Sequence, residues 1–276
     1  MDVKLAVVGH VEWVEFARVE HVPAAGEIVH ALETWEEAAG GGAVAAVQLA
    51  KLAGSCLLFT SLASDELGRR AREQLAAQGV TVHAAAAAGR HRRAFTLVDE
   101  VGERTITVLG DKLVPSGGDG TLPWEELADA DAAYFVSGDV EALRHARKAR
   151  VLVATSRELP TLGRAGVELD VLVGSAEDEG ERYKPGDLDP APRVVVTTSG
   201  GLGGWVQPGG PFTAAALPGP VEDAYGCGDC FAAGLTFGLA DGGSIDEAVE
   251  LGARCGAAVL TGRGAYSGQL GAASLA

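Results

Sequence analysis

EDAYGCGDCFAAGLTFGLA, residues 222 to 240, sets a glycine-bracketed turn directly before an apolar, helix-compatible stretch. Gly226 and Gly228 open backbone conformations closed to larger residues and let a ligand approach the main chain. The helix behind them leaves its first amides unpaired and carries a partial positive charge at that end, so the turn suits an anion. Asp229 stands at the mouth of this turn. On this segment alone, Asp229 fits a helix-capping carboxylate as well as a site residue.

Outward from the turn, apolar runs rich in Val and Leu recur as KLAVVG (4 to 9), CLLFTSL (56 to 62), AAYFVSG (132 to 138), ARVLVATS (149 to 156), LDVLVGS (169 to 175) and RVVVTTSG (193 to 200). Helix-compatible stretches at 43 to 53, 66 to 79 and 141 to 149 separate many of them. That alternation predicts an α/β fold, a mostly parallel sheet covered by helices on both faces. Two regions break the rhythm. Residues 11 to 33, and the pair AFTLVDE (94 to 100) and RTITVLG (104 to 110), read as short antiparallel strands, with Ala94, Thr96 and Val98 alternating against Phe95, Leu97 and Asp99. They predict a small β lid formed by about 11–33 and 94–109, standing off one domain that spans 1–276. The runs AAAAAG (84 to 89) and PSGGDG (115 to 120) read as biased loops.

The totals set limits on partners. A chain of 276 residues with 47% hydrophobic residues can bury a large core, and its formal charge of -16 repels a phosphate backbone and an anionic membrane surface alike. The first strand-like run starts at residue 4 with no basic stretch and long apolar segment before it, so neither a signal peptide nor a membrane span is expected. Four scattered cysteines suit a reducing cytoplasm better than a disulfide framework. Cys227 and Cys230 have a C-x-x-C spacing, but no second ligand pair or redox setting accompanies them.

Asp223-Ala224-Tyr225-Gly226-Cys227-Gly228-Asp229 closely resembles the Asp-x-x-Gly-x-Gly-Asp signature of the ribokinase-like, or PfkB, carbohydrate kinases. The likeness runs along nearly the whole chain in order. SLASDELGRRAREQLAAQGV (61 to 80) resembles the family's Asp-x-x-Gly helix, RRAFTLVDEVGERTI (92 to 106) its lid hairpin, VVVTTSGGLG (194 to 203) its Thr-x-Gly-x-x-Gly turn and DEAVELGARCGAAVLTGRGA (246 to 265) its C-terminal helix and loop. AGGGAVAAVQLAKLAG (39 to 54) resembles its second glycine-rich signature, although three glycines before a helix also make an ordinary flexible turn.

The resemblance implies a ribokinase-like fold and ATP-dependent phosphorylation of a hydroxymethyl group on a small sugar. By it, Asp229 is the general base, and the amides of Gly226, Cys227 and Gly228 stabilise the transferring phosphoryl group. Thr198, Gly200, Gly203, Ser175 and Asp178 lie near ATP and Mg2+. Glu12, Gly40, Gly41, Gly42 and Arg93 face the substrate. Asp223 borders a monovalent cation, K+, with the loop from Gly264 to Ser267 opposite. A homodimer formed through the lid is expected.

Three departures fall in substrate and metal recognition. The family's sugar-binding Asp falls at Val14, where Glu12 or Glu15 could replace it, and its usual Asn falls at Val44. Losing two hydroxyl partners predicts a different or less polar substrate. The Asn-x-x-Glu motif reads Ser175-Ala176-Glu177-Asp178. A nucleoside kinase and a non-catalytic regulatory protein are the alternatives these departures leave open. His10, His21 and His30 read as solvent or packing histidines, and Trp13, Trp35 and Trp205 as packing residues.

Overall fold

In chain order the strands are β1 (Leu5–Val8), β2 (Glu12–Arg18), β3 (Glu33–Ala39), β4 (Cys56–Ala63), β5 (Val80–Ala87), β6 (Arg93–Val98), β7 (Arg104–Leu109), β8 (Ala132–Phe135), β9 (Val151–Thr155), β10 (Val171–Ser175), β11 (Val194–Thr198), β12 (Gly204–Gln207) and β13 (Pro211–Phe212). The α-helices are α1 (Gly41–Ala53), α2 (Glu66–Ala77), α3 (Val140–Ala146), α4 (Leu159–Ala165), α5 (Cys227–Ala240) and α6 (Ile245–Val259). This computed structural model describes residues 3–274.

A nine-stranded sheet runs β13-β12-β11-β10-β9-β8-β1-β4-β5. Pairing is parallel from β11 through β5 and antiparallel only for β12 and β13 at one edge. Alternation along β1 shows why the strands are apolar throughout: Leu5 and Val7 join one core with α1, α5 and α6, whereas Ala6 and Val8 join another with α3 and α4. Helices therefore cover both faces, as the alternating pattern predicted.

The second sheet has the order β3-β2-β6-β7. It is mixed, because β2 pairs parallel with β6 while β3 and β7 pair antiparallel. Ala94, Thr96 and Val98 are buried and Phe95 is exposed, as the period-two pattern required. The third strand is Glu33–Ala39, beyond the stretch 11 to 33, and residues 19 to 32 hold no strand. Two other expectations differ. The alanine run at 84 to 87 belongs to β5, paired with β4 at the sheet edge, not to a loop. Trp205 is 54% exposed on β12 instead of packed.

Candidate active site

The carboxyl ends of the parallel strands and the first turn of α5 converge, the usual place for a ligand in an open α/β sheet. Gly226 precedes α5 with φ of 81°, and a Cβ there would come within 2.9 Å of Val44 Cγ1. Glycine is thus required both by conformation and by the close pass of α1 beneath the turn. Above Gly228 the space is open, with no atom within 4 Å of where a Cβ would stand. Cys227 and Gly228 begin the helix, so their amides face the open side.

Asp229 lies in this first turn and is partly buried. Burial pushes its pKa up to about 6; Glu181 and Glu12 add to that rise, while Arg157 and Arg104 oppose it. A carboxylate so placed is ionised at neutral pH but basic enough to take a proton. Across from it, a Cβ on Gly41 would lie 2.8 Å from Asp229 Oδ1 and 2.8 Å from Val136 Cγ1. The glycine-rich loop and the α5 turn therefore meet at Asp229. Gly40 stands over Glu12, where a Cβ would come 3.1 Å from Glu12 Cγ. Gly42 presses on His10, since its Cβ would be 2.6 Å from the His10 carbonyl oxygen.

Tyr225 joins these pieces. Its hydroxyl accepts the Gly40 amide at 3.2 Å, and its ring meets Phe16 of β2 edge-on at 5.1 Å. Phe16 in turn stacks on Trp35 of β3 at 4.9 Å. The β6–β7 hairpin also touches the α5 turn: the Ala224 amide donates to Gly102 O at 2.9 Å, and Arg104 donates to Ala224 O at 2.8 Å. Asp223 is fully buried, accepting from the Tyr225 amide at 2.8 Å and the Gly264 amide at 3.0 Å. Burial raises its pKa against those two hydrogen bonds.

At the other end, Ser175 and Thr198 are register partners on β10 and β11, and the Ala176 amide donates to Thr198 O at 2.9 Å. Gly200 faces Glu177, a Cβ there lying 3.1 Å from Glu177 Oε1, and Gly203 has φ of 90° at the turn into β12. Ser175, Thr198, Gly200 and Gly203 thus form one cluster. Asp178 accepts the Gly180 amide and pairs with Arg157 at 2.7 Å. Sequence reasoning missed Glu181 and Arg157. Glu181 accepts the Ser175 amide at 3.0 Å and pairs with Arg157, and both influence Asp229. No motif marks them, because they come from loops on different strands.

On the small sheet, Arg93 is held by Glu15, with its Nε 3.0 Å from Glu15 Oε1. Arg92 is the residue that reaches Glu12, at 2.8 Å. Adjacent residues of an extended chain point to opposite faces, and the parity of β6 places Arg92 on the inner one. Val14 and Val44 are fully buried, so neither family position supplies a polar group here. His10, expected to be a packing or solvent residue, is buried between Ser137 Oγ (3.0 Å) and Glu12 Oε1 (3.5 Å). Burial, then the charges of Lys112, Arg92 and Arg157, hold its pKa well below the ordinary histidine value. His21 pairs with Glu27 on an exposed loop.

The family model described as pfkB family carbohydrate kinase matches residues 2–158 and 141–270. The chain belongs to the pfkB family of carbohydrate kinases. This family member is a phosphotransferase. It is 30% identical over 284 residues to a protein of Halopiger xanaduensis named ATP-dependent ribose-1-phosphate kinase, covering 96% of this chain and 94% of that one. Ribokinase from Giardia lamblia superposes with a TM-score of 0.80 at 16% identity, covering 99% of this chain and 98% of that chain. Adenosine kinase from Sinorhizobium meliloti gives 0.78 at 20% identity, covering 100% and 99%. These two likenesses establish the ribokinase-like fold. No helix among the described residues is long and apolar enough to cross a membrane.

Proposed function

We infer that this pfkB-family kinase transfers the γ-phosphoryl group of ATP to a hydroxymethyl group of a small sugar or sugar-like acceptor, with Asp229 as general base. The observation that carries this is Asp229 itself, with its pKa raised to about 6, lying against the glycine loop at Gly41 and beside the open space above Gly228 at the start of α5. In the reaction, the acceptor oxygen forms a bond to the γ-phosphorus as the bond from that phosphorus to the β,γ-bridging oxygen breaks. The hydroxyl proton goes to Asp229, and ADP leaves. The amides of Gly226, Cys227 and Gly228 stabilise the charge on the phosphoryl oxygens. The name of the Halopiger relative supports ATP as donor.

Ser175, Thr198, Gly200 and Gly203 border the nucleotide in this account. Glu181 and Asp178 suit Mg2+, whose usual contacts run through water and phosphate oxygens. Asp223 and the loop from Gly264 to Ser267 would hold K+, as the family resemblance implies. Glu12 with Gly40, Gly41 and Gly42 borders the acceptor. Arg93 acts one step removed, by fixing Glu15 beside that strand. The protein forms a homodimer through the small sheet, because β7 is exposed along its whole length and carries Ile106, Val108 and Leu109 on an open edge. Cytoplasmic residence fits the buried thiols of Cys56, Cys230 and Cys255.

Measuring ATP consumption across a panel of sugars, sugar phosphates and nucleosides tests the reaction. Turnover with a sugar or sugar phosphate is expected. Preference for nucleosides moves the acceptor class, and tight binding of one compound without turnover of any replaces the kinase with a regulatory protein.

A further inference from the structure

The Arg92 side chain is only 15% exposed, and its contact with Glu12 is ionic without being a well-aligned hydrogen bond: Nε lies 2.8 Å from Glu12 Oε1, yet it is buried and unbonded among the described residues. A guanidinium stays charged and presents five donors in a planar fork that matches phosphate oxygens. An enclosed cation with an idle buried donor is costly unless a ligand completes it. Lys112, held at 2.9 Å by Glu158, is the second cation here. β7 ends at Leu109, the register partner of Arg93, so Lys112 follows three residues on from the strand end beside Arg92, and the charges of both bear on His10 and on Glu12. Meanwhile Val14 and Val44 offer no polar contact to a hydroxyl. In a chain with net charge of -16, two cations border a pocket whose two family polar positions are held by valine.

We propose that the acceptor is itself anionic, a pentose bearing a phosphate monoester away from the hydroxyl that receives the new group, and that Arg92, seconded by Lys112, binds this phosphate. The inference rests on the kinase assignment above. Glu12 keeps Arg92 in place when the phosphate is absent, and the fork then turns its remaining donors to the ligand. Burial raises the Glu12 pKa against the pull of Arg92 and Lys112. The name of the Halopiger relative, which specifies ribose 1-phosphate, agrees with this acceptor chemistry. The competing account is a closed Glu12–Arg92 pair that merely fills the space of the lost sugar contacts.

D-ribose and D-ribose 1-phosphate separate the two accounts, assayed with ATP on the wild type and on Arg92→Gln, Arg92→Lys and Lys112→Met, with melting temperatures measured in parallel. Wild type should favour ribose 1-phosphate in kcat/KM. Arg92→Gln should lower that value about 10- to 100-fold, as expected for lost charge-assisted hydrogen bonds, with Arg92→Lys recovering part of it. Its effect on ribose should stay below about tenfold. Equal use of the two sugars by the wild type, or an equal loss on both in Arg92→Gln, overturns the subsite. Calorimetric binding of ribose 1-phosphate without ATP provides a readout independent of turnover. Binding that depends on Arg92 in a protein inactive on every acceptor upholds the subsite and sinks the kinase, whereas no binding sinks the subsite whatever the kinetics.

Discussion

Asp229→Asn separates a general base from an idle carboxyl at the scale of one side chain. The helix cap expected of Asp229 is not there, because Gly226 is the N-cap and no side chain caps α5, so a residue without a catalytic role predicts near-normal turnover. A general base predicts a fall in turnover of about 100- to 10,000-fold with little change in ATP affinity, because the backbone amides remain. The pH profile provides a second check. With the carboxyl pKa pushed up to about 6, activity should climb as pH rises through 6 and level off above it. An activity limb near pH 4 would instead mean an ordinary carboxylate. Stability runs the other way. A carboxyl whose folded pKa exceeds its unfolded value penalises the folded state fully above pH 6, and the penalty fades as pH falls through 6 toward the unfolded value. Asp229→Asn should therefore be more stable than wild type by about 1 to 3 kcal/mol at pH 8, with a smaller gap at pH 5. Chemical denaturation at the two pH values measures it, and an equal gap at both would contradict the burial argument.

At the scale of elements, the glycine loop ahead of α1 is as much part of the chemistry as α5. Gly41→Ala would put a methyl carbon 2.8 Å from Asp229 Oδ1 and from Val136 Cγ1, so the carboxylate must move. A misplacement of about 1 Å at a reacting group costs about 100-fold in kcat/KM, which is the upper end expected of this variant. Wild-type kinetics in this variant would show that the loop has more slack than the packing implies. The α5 turn and the parallel strands were legible in the sequence because Gly, Asp and runs of Val act through local backbone physics. β5 was not, since VTVHAAAA (80 to 87) lacks the β-branched density of its neighbours and owes its pairing to β4. β3 was misplaced because ETWEEAA (33 to 39) carries three glutamates, at 33, 36 and 37, and it is sheet context, not propensity, that makes it extended. The site divided in the same way. Asp229, Gly41 and Glu12 stand in readable segments, whereas Glu181, Arg157 and His10 gain meaning only from contacts between distant loops.

For the whole molecule, the open edge of β7 and its apolar side chains predict a homodimer in solution. Light scattering at micromolar concentration should give twice the 28.1 kDa chain mass. A monomer there, or a dimer unaffected by Val108→Asp, would place the interface elsewhere. Activation by K+ is the other molecular prediction. Replacing K+ by a bulky organic cation at equal ionic strength should lower activity without unfolding the protein, and equal rates would remove the cation site near Asp223. The link through Tyr225 bears on how such an enzyme can change over generations. Because the Gly40 amide is tied to the Tyr225 hydroxyl, any substitution that shifts the glycine loop to fit a new sugar also disturbs the turn that serves phosphoryl transfer. Inherited change therefore meets less resistance at Arg92, which reaches Glu12 from the start of β6 and does not press on the glycine loop. A lineage can diversify its diet there while leaving its catalytic inheritance untouched.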